Sequence, residues 1–280
     1  MTQVLKKISF ILLLYMSVTI KLISSSTSLL KRFTLWIVIW LHVLAGIGTL
    51  LLIFPFACIQ SKQRHIQKWS ARLLQLFGIE LVVKNADVLP SSPFLLSSNH
   101  ISWMDIHAIN AFQPILFVAK SEVEGWPIFG WMAKQLGTVF IRRDNPRQAH
   151  SVVNEMAKTL QEHSICVFPE GTSTDGLLVR PFKANLFESA ITADVPVCSL
   201  AIRYLSKKTG KRSVVPAFIG DMGLLESMAK ILNNRSLIVE LTFFPPIRLA
   251  EIPSGDRKKL AANSYEQISK FLNSPYTNSL

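Results

Sequence analysis

The chain has 280 residues, long enough for one large domain plus a membrane segment, and it carries 30 Lys and Arg against 18 Asp and Glu, a formal net charge of +12. It is also 49% hydrophobic. A nucleic-acid-binding protein is basic without being this apolar, so no nucleic-acid partner is expected; basic and apolar together fit a protein held on an anionic bilayer.

The first apolar stretch, residues 8–20, follows Lys6 and Lys7 and is short for a membrane span. Lys21 and a serine-rich run follow it without a small-residue cleavage site, so a signal anchor or interfacial helix fits better than a signal peptide. Residues 35–59 contain no charge, and His42 is their one clearly polar residue. That run exceeds the ~20 residues a spanning helix needs. Lys31 and Arg32 precede it, and Lys62, Arg64, Lys68 and Arg72 follow it. The heavier charge on the carboxyl side predicts that side to be cytoplasmic, with the protein on the inner membrane and residues 79–280 on the cytoplasmic face. Gly46 and Gly48 leave a re-entrant hairpin as the alternative. Residues 1–61 are therefore read as a membrane anchor. Residues 62–78 follow as a basic amphipathic interfacial helix, with Ile66, Trp69, Leu73 and Phe77 at helical spacing.

From residue 79 to 280 the pattern becomes that of an α/β domain with a mixed, largely parallel sheet flanked by helices. Short apolar, β-branched runs predict strands at 79–83, 93–98, 115–120, 138–143, 164–170, 195–204, 213–220 and 237–244. Helical patterns fall between them at 146–163, 182–192 and 222–232. Cys58, Cys166 and Cys198 are far apart, and their odd number without metal spacing predicts reduced, buried thiols.

Ligand sites in such folds gather at the carboxyl ends of strands. Asn99 and His100 directly follow one strand, and Asp105 lies five residues beyond His100. That spacing is about 140° on a helix, so the pair can meet only if a turn or helix start folds Asp105 back. Lys120 closes another strand, and Arg142 and Arg143 close the next, where forked donors could grip a phosphate. The loop from Pro169 to Gly176 holds Glu170, Gly171, Thr172 and Ser173, and backbone N–H groups in such a loop can cradle an anion.

Four blocks in this order resemble the glycerolipid acyltransferase family, the lysophosphatidic-acid acyltransferases and their relatives. They are Asn99-His100 with Asp105; Gly137 with Phe140, Ile141 and Arg143; Phe168 to Thr172; and Val195-Pro196. The resemblance covers residues 94–204 well and implies acyl transfer from a thioester to a lysolipid hydroxyl, with direct attack by the alcohol. In that reaction a histidine base takes the hydroxyl proton, and a carboxylate on the other ring nitrogen holds the tautomer. His100 and Asp105 would fill these catalytic roles. Asn99, Lys120, Arg143, Glu170, Gly171, Thr172, Ser173 and Lys183 would bind substrate, with acyl chains among apolar residues near Trp126 and Trp131. No metal or bound cofactor is implied; acyl-coenzyme A or acyl carrier protein is the donor substrate. The chain departs from the family at Ser173, where many lysophosphatidate enzymes carry Arg. This variant resembles the branch with lyso-ornithine lipid acyltransferases, so that acceptor stands beside 1-acylglycerol 3-phosphate. Thioester hydrolysis and non-catalytic membrane lipid binding are the rival readings.

Overall fold

The computed structural model describes residues 28–141, 146–252 and 256–274. The apolar stretch at 8–20 lies outside them. The chain divides into two compact units, Met1–Phe56 and Ala57–Leu280.

In the first unit, helix α1 (Ser28–Leu52) belongs to a segment, Leu30–Phe56, that is long and apolar enough to cross a membrane. Leu30, Phe33, Ile37, Leu41 and Leu44 are exposed and recur every three or four residues, so one apolar stripe runs along the helix. Thr34 and Thr49 donate their hydroxyls back to the carbonyls of Leu30 and Ala45.

The second unit opens with α2 (Ile59–Phe77), ended by Gly78 in the left-handed conformation that a side chain resists. The sequence assigns this helix to lipid headgroups. In the structure its last two turns bury Leu73, Leu74, Leu76 and Phe77 in the α/β unit, while Ile59 is exposed. The elements that follow are β1 (Ile79–Lys84), β2 (Leu95–Ser98), α3 (Met104–Phe112), β3 (Leu116–Lys120), α4 (Ser121–Glu124), α5 (Phe129–Gln135), β4 (Val139–Ile141) and α6 (Pro146–Leu160). Then come β5 (Ile165–Val167), α7 (Glu188–Ala193), β6 (Val197–Ser206), α8 (Leu224–Asn233), β7 (Leu237–Phe243) and α9 (Arg257–Asn273).

Seven strands form one sheet in the order β1-β7-β6-β2-β5-β3-β4. Every pairing is parallel except β6 with β7, so the expected mixed, largely parallel α/β sheet is present. β6 sorts the two faces by its period of two. Ser199 bonds Ser264 of α9, Ala201 packs on Ile268 and Leu272, and the Arg203 guanidinium lies 4.7 Å from the Phe271 ring centroid, so odd residues face α9. Tyr204 points the other way, to α3. α2 covers that second face, where the rings of Phe77 and Trp103 meet edge-on. On the first face α6, α7 and α9 enclose a core that includes Met156, Leu160, Ile165, Phe187, Val197 and Leu260.

One expected strand is absent. Residues 213–220 turn at Val214–Ala217 and run as a loop, because Pro216 has no N–H for a ladder and Phe218 spends its own on the carbonyl of Ile101. The thiols give a check. Cys166 and Cys198 are fully buried, and burial pushes both up, Cys198 to about 12, whereas Cys58 is exposed. Maleimide added to the folded protein in detergent should therefore label Cys58 alone; mass spectrometry finding label on Cys166 or Cys198 without denaturant would contradict this packing.

Candidate active site

β2 ends in a set of bonds that fixes where His100 leaves the sheet. The Ser98 hydroxyl donates to the Leu200 carbonyl. The Asn99 side chain then imitates a strand residue: its amide donates to the Ile202 carbonyl at 2.9 Å and accepts from the Ile202 N–H at 2.8 Å. Asn99 is buried with both amide atoms engaged, so its side chain ties β2 to β6.

The chain then turns, and α3 starts at Met104. Ser102 caps this turn, its carbonyl accepting from the Asp105 N–H and its hydroxyl from the Met104 N–H. The turn folds Asp105 back onto the imidazole, with 2.9 Å between His100 Nδ1 and Asp105 Oδ2. The same oxygen accepts the N–H groups of Ile101 and Ser102 at 2.7 and 2.9 Å. Asp105 Oδ1 accepts the Tyr204 hydroxyl at 2.8 Å. A carboxylate has about four acceptor sites. Four donors converge on this one, and it is wholly buried. Burial and the adjacent Asp105 hold the Tyr204 hydroxyl well above its ordinary pKa, so it remains a donor.

The His100 ring stacks on Phe168, centroids 4.0 Å apart and planes 18° apart, and its side chain is 21% exposed. Among the described residues, its ring hydrogen-bonds Asp105 alone. Nδ1 is engaged, which leaves Nε2 as the ring nitrogen with no hydrogen bond among the described residues. Cys166 is no nucleophile here, being buried with its thiol pushed up by burial and by Asp105.

Glu170 joins the third block to the first. Its two oxygens accept the backbone N–H groups of His100 and Arg180, each at 2.8 Å, and the carboxyl is buried. Burial raises its pKa, partly offset by those two donors. Glu170 thus clamps two loops together through their backbone. Thr174 closes the clamp by donating its N–H to the His100 carbonyl. Gly171 sits at φ 77°, and the Ser173 hydroxyl donates to the Phe218 carbonyl, so it too is engaged within the protein. Thr172 is half-buried, and Lys183 is exposed with its N–H on the Pro169 carbonyl, both in the loop beside His100. Lys120 closes β3, and Arg143 lies outside the described residues. Trp126 meets the Phe218 ring edge-on, centroids 6.3 Å apart. Tyr204 is the site residue that motif spacing could not find; its only signal is its place in the strand that begins at the Val-Pro block.

These features define an α/β enzyme organised around a half-exposed histidine and a buried carboxylate at the carboxyl ends of parallel strands. A family model described as "Acyltransferase" matches residues 80–203, which span all four blocks. A 1-acyl-sn-glycerol-3-phosphate acyltransferase of Neisseria meningitidis is 34% identical over 212 residues, covering 75% of this chain and 82% of its own. Lyso-ornithine lipid O-acyltransferases of Pseudomonas aeruginosa and Rhodobacter capsulatus are 33% and 40% identical, over 74% and 59% of this chain and 78% and 60% of theirs. The chain belongs to the acyltransferase family, and its class is O-acyltransferase. The crystal structure of a 1-acyl-sn-glycerophosphate acyltransferase from Thermotoga maritima has the same fold, with TM-score 0.64 and 20% identity over 89% of this chain and 98% of that one.

Two substitutions test the geometry. Tyr204→Phe removes one hydrogen bond to a charged group, about 1.5–3 kcal/mol. If Tyr204 positions the dyad, kcat should fall roughly tenfold or more with KM for both substrates nearly unchanged; an unaltered kcat would refute that role. Glu170→Gln keeps the shape but puts an NH₂ against one backbone donor. It should cost about 1–3 kcal/mol, several degrees in melting midpoint for a unit of this size. Thermal unfolding in detergent measures it, and an unchanged midpoint would show that the clamp is not needed.

Proposed function

We propose that this protein transfers a fatty acyl group from an acyl thioester to the free hydroxyl of a lysophospholipid in phospholipid biosynthesis, with 1-acylglycerol 3-phosphate as the principal acceptor. The observation that carries the mechanism is the His100–Asp105 contact with Nε2 left for substrate. The acceptor hydroxyl gives its proton to Nε2 while its oxygen attacks the thioester carbonyl carbon. The tetrahedral intermediate expels the thiolate, which takes that proton from the imidazolium. The acyl ester and free thiol are the products. Asp105 keeps the Nδ1–H tautomer and steadies the positive ring, and Tyr204 holds Asp105. The donor is acyl-coenzyme A or acyl carrier protein, and no metal or bound cofactor takes part.

Lys183, Thr172 and the Gly171 turn stand beside His100 as headgroup contacts, with Lys120 and Arg143 completing the set by their place in the sequence. α1 anchors the chain in the inner membrane, and the basic residues after it put the catalytic unit on the cytoplasmic face. Acylation of a lyso-ornithine lipid is the second reading. Ser173 favours it, since its hydroxyl is turned to Phe218 and no arginine stands there; so does the 40% identical relative.

The test is membranes containing the protein, supplied with acyl thioester and a panel of lysolipids, read by mass spectrometry. Phosphatidate should form, and His100→Ala should cut its rate by at least ~10²–10⁴-fold while the protein remains folded. Acylation of the phosphate-free lysolipid alone would favour the second reading. Free fatty acid as the sole product would sink both.

A further inference from the structure

We infer that the catalytic unit carries its own bilayer-docking surface, separate from α1: a ring of apolar loop tips around His100 that seats on an anionic lipid surface. The inference rests on the lipid-acceptor reading above. Apart from Ile59 at the start of α2, six large apolar side chains of this unit are 40–71% exposed: Ile128, Leu177, Leu178, Val214, Ile219 and Leu225. Single exposed apolar residues need no explanation, but a cluster does.

These six come from three stretches of sequence that the fold ties to the end of β2. Thr174 donates its N–H to the His100 carbonyl, and an added Cβ at Gly176 would lie 2.5 Å from Ile101 Cδ1, so the loop bearing Leu177 and Leu178 rests on His100 and Ile101. Phe218, next to Ile219, donates its N–H to the Ile101 carbonyl and accepts the Ser173 hydroxyl. The Phe218 ring meets Trp126, two residues before Ile128. Lys230 of α8 donates to the Val214 carbonyl, and Trp103 bonds Ser227, which holds the first turn of α8 and Leu225 to the same end of the sheet.

The charge around these tips selects the partner. Residues 120–134, 173–183 and 207–230, which bear the six tips, hold nine Lys and Arg, among them Arg180, Lys183 and Lys211, against five carboxylates, Glu122, Glu124, Asp175, Asp221 and Glu226, and one of the nine, Lys207, is paired with Glu80. Apolar tips within a basic surround match the headgroup boundary of an anionic bilayer, where apolar side chains enter the acyl layer and cations meet phosphate. A lysolipid could then reach His100 with its chain still in the membrane.

The experiment uses the full chain in vesicles of phosphatidylglycerol and phosphatidylcholine. In a Cys58→Ser background, with Cys166 and Cys198 buried, an environment-sensitive fluorophore is placed by Leu178→Cys, by Leu225→Cys, and by Glu162→Cys as control. Glu162 is exposed and precedes β5, at the opposite end of the strands from His100. Probes at 178 and 225 should blue-shift and be quenched by nitroxide-bearing lipid, and the probe at 162 should do neither. Indistinguishable spectra at 178 and 162 would overturn the inference, whatever the activity.

A second arm measures turnover. Leu178→Asp with Leu225→Asp should lower acyl transfer to a vesicle-embedded acceptor about tenfold, and leave transfer to the same acceptor in detergent micelles unchanged. Equal rates with wild type in vesicles, or equal loss in both formats, would count against docking. A wild-type protein that acylates nothing in either format would instead defeat the acyltransfer reading, and the fluorescence would still decide the surface.

Discussion

The site depends on one buried carboxylate that four donors share. Asp105 Oδ2 meets the imidazole and accepts two consecutive backbone N–H groups, and its Oδ1 accepts the Tyr204 hydroxyl. An ionisable group out of water costs free energy unless its acceptor sites are filled. Here they are filled by groups from three places: the end of β2, the turn into α3, and β6. The carboxylate therefore reports whether those elements are correctly joined. If one slips, a buried charge loses a partner and the imidazole loses its orientation at once. A second carboxylate repeats the device from outside the sheet. Glu170 takes the N–H of His100 and that of Arg180, so the loop after β5 is seated on the residue it serves.

The split of roles between these carboxylates follows from what each touches. Asp105 meets the imidazole ring and fixes its orientation. Glu170 meets only backbone and acts on position. Asn99 belongs with Glu170, because its amide is consumed in the β6 ladder. Within the four motif blocks, much of the polar chemistry thus serves to hold His100 where its Nε2 can be used.

Much of this was legible in the chain. Apolar β-branched runs between helical patterns marked all seven strands within a few residues, and the mixed parallel sheet followed from their alternation with helices. The run at 213–220 misled because composition registers β-branched residues and not where backbone donors go; Pro216 and the bond from Phe218 to Ile101 decide that. α3, α4, α5 and α9 fall outside the helical patterns that the sequence shows. In α3 the turn set by Ser102, not a long amphipathic period, starts the helix. For the site, His100 and Asp105 were visible as a pair because strand end and motif order coincide. The inward roles of Asn99, Glu170 and Ser173 were not, since a polar residue in a loop looks alike whether it faces substrate or a neighbouring carbonyl. Tyr204 stayed hidden for a plainer reason: it lies 99 residues beyond Asp105.

That separation bears on how the protein is made. β1 pairs only with β7, Ile79 against Leu237, and β2 lies between β5 and β6. During synthesis, α1 and the His100–Asp105 segment leave the ribosome long before Tyr204 and β7 exist. Pairing so distant in sequence is slow, because loop closure precedes any gain from contact. The newborn chain thus carries His100 and Asp105 for some time without the Tyr204 bond that holds the carboxylate. Acyl transfer begins only when the late strands arrive to close the sheet around the early ones, which couples the onset of activity to completion of the fold.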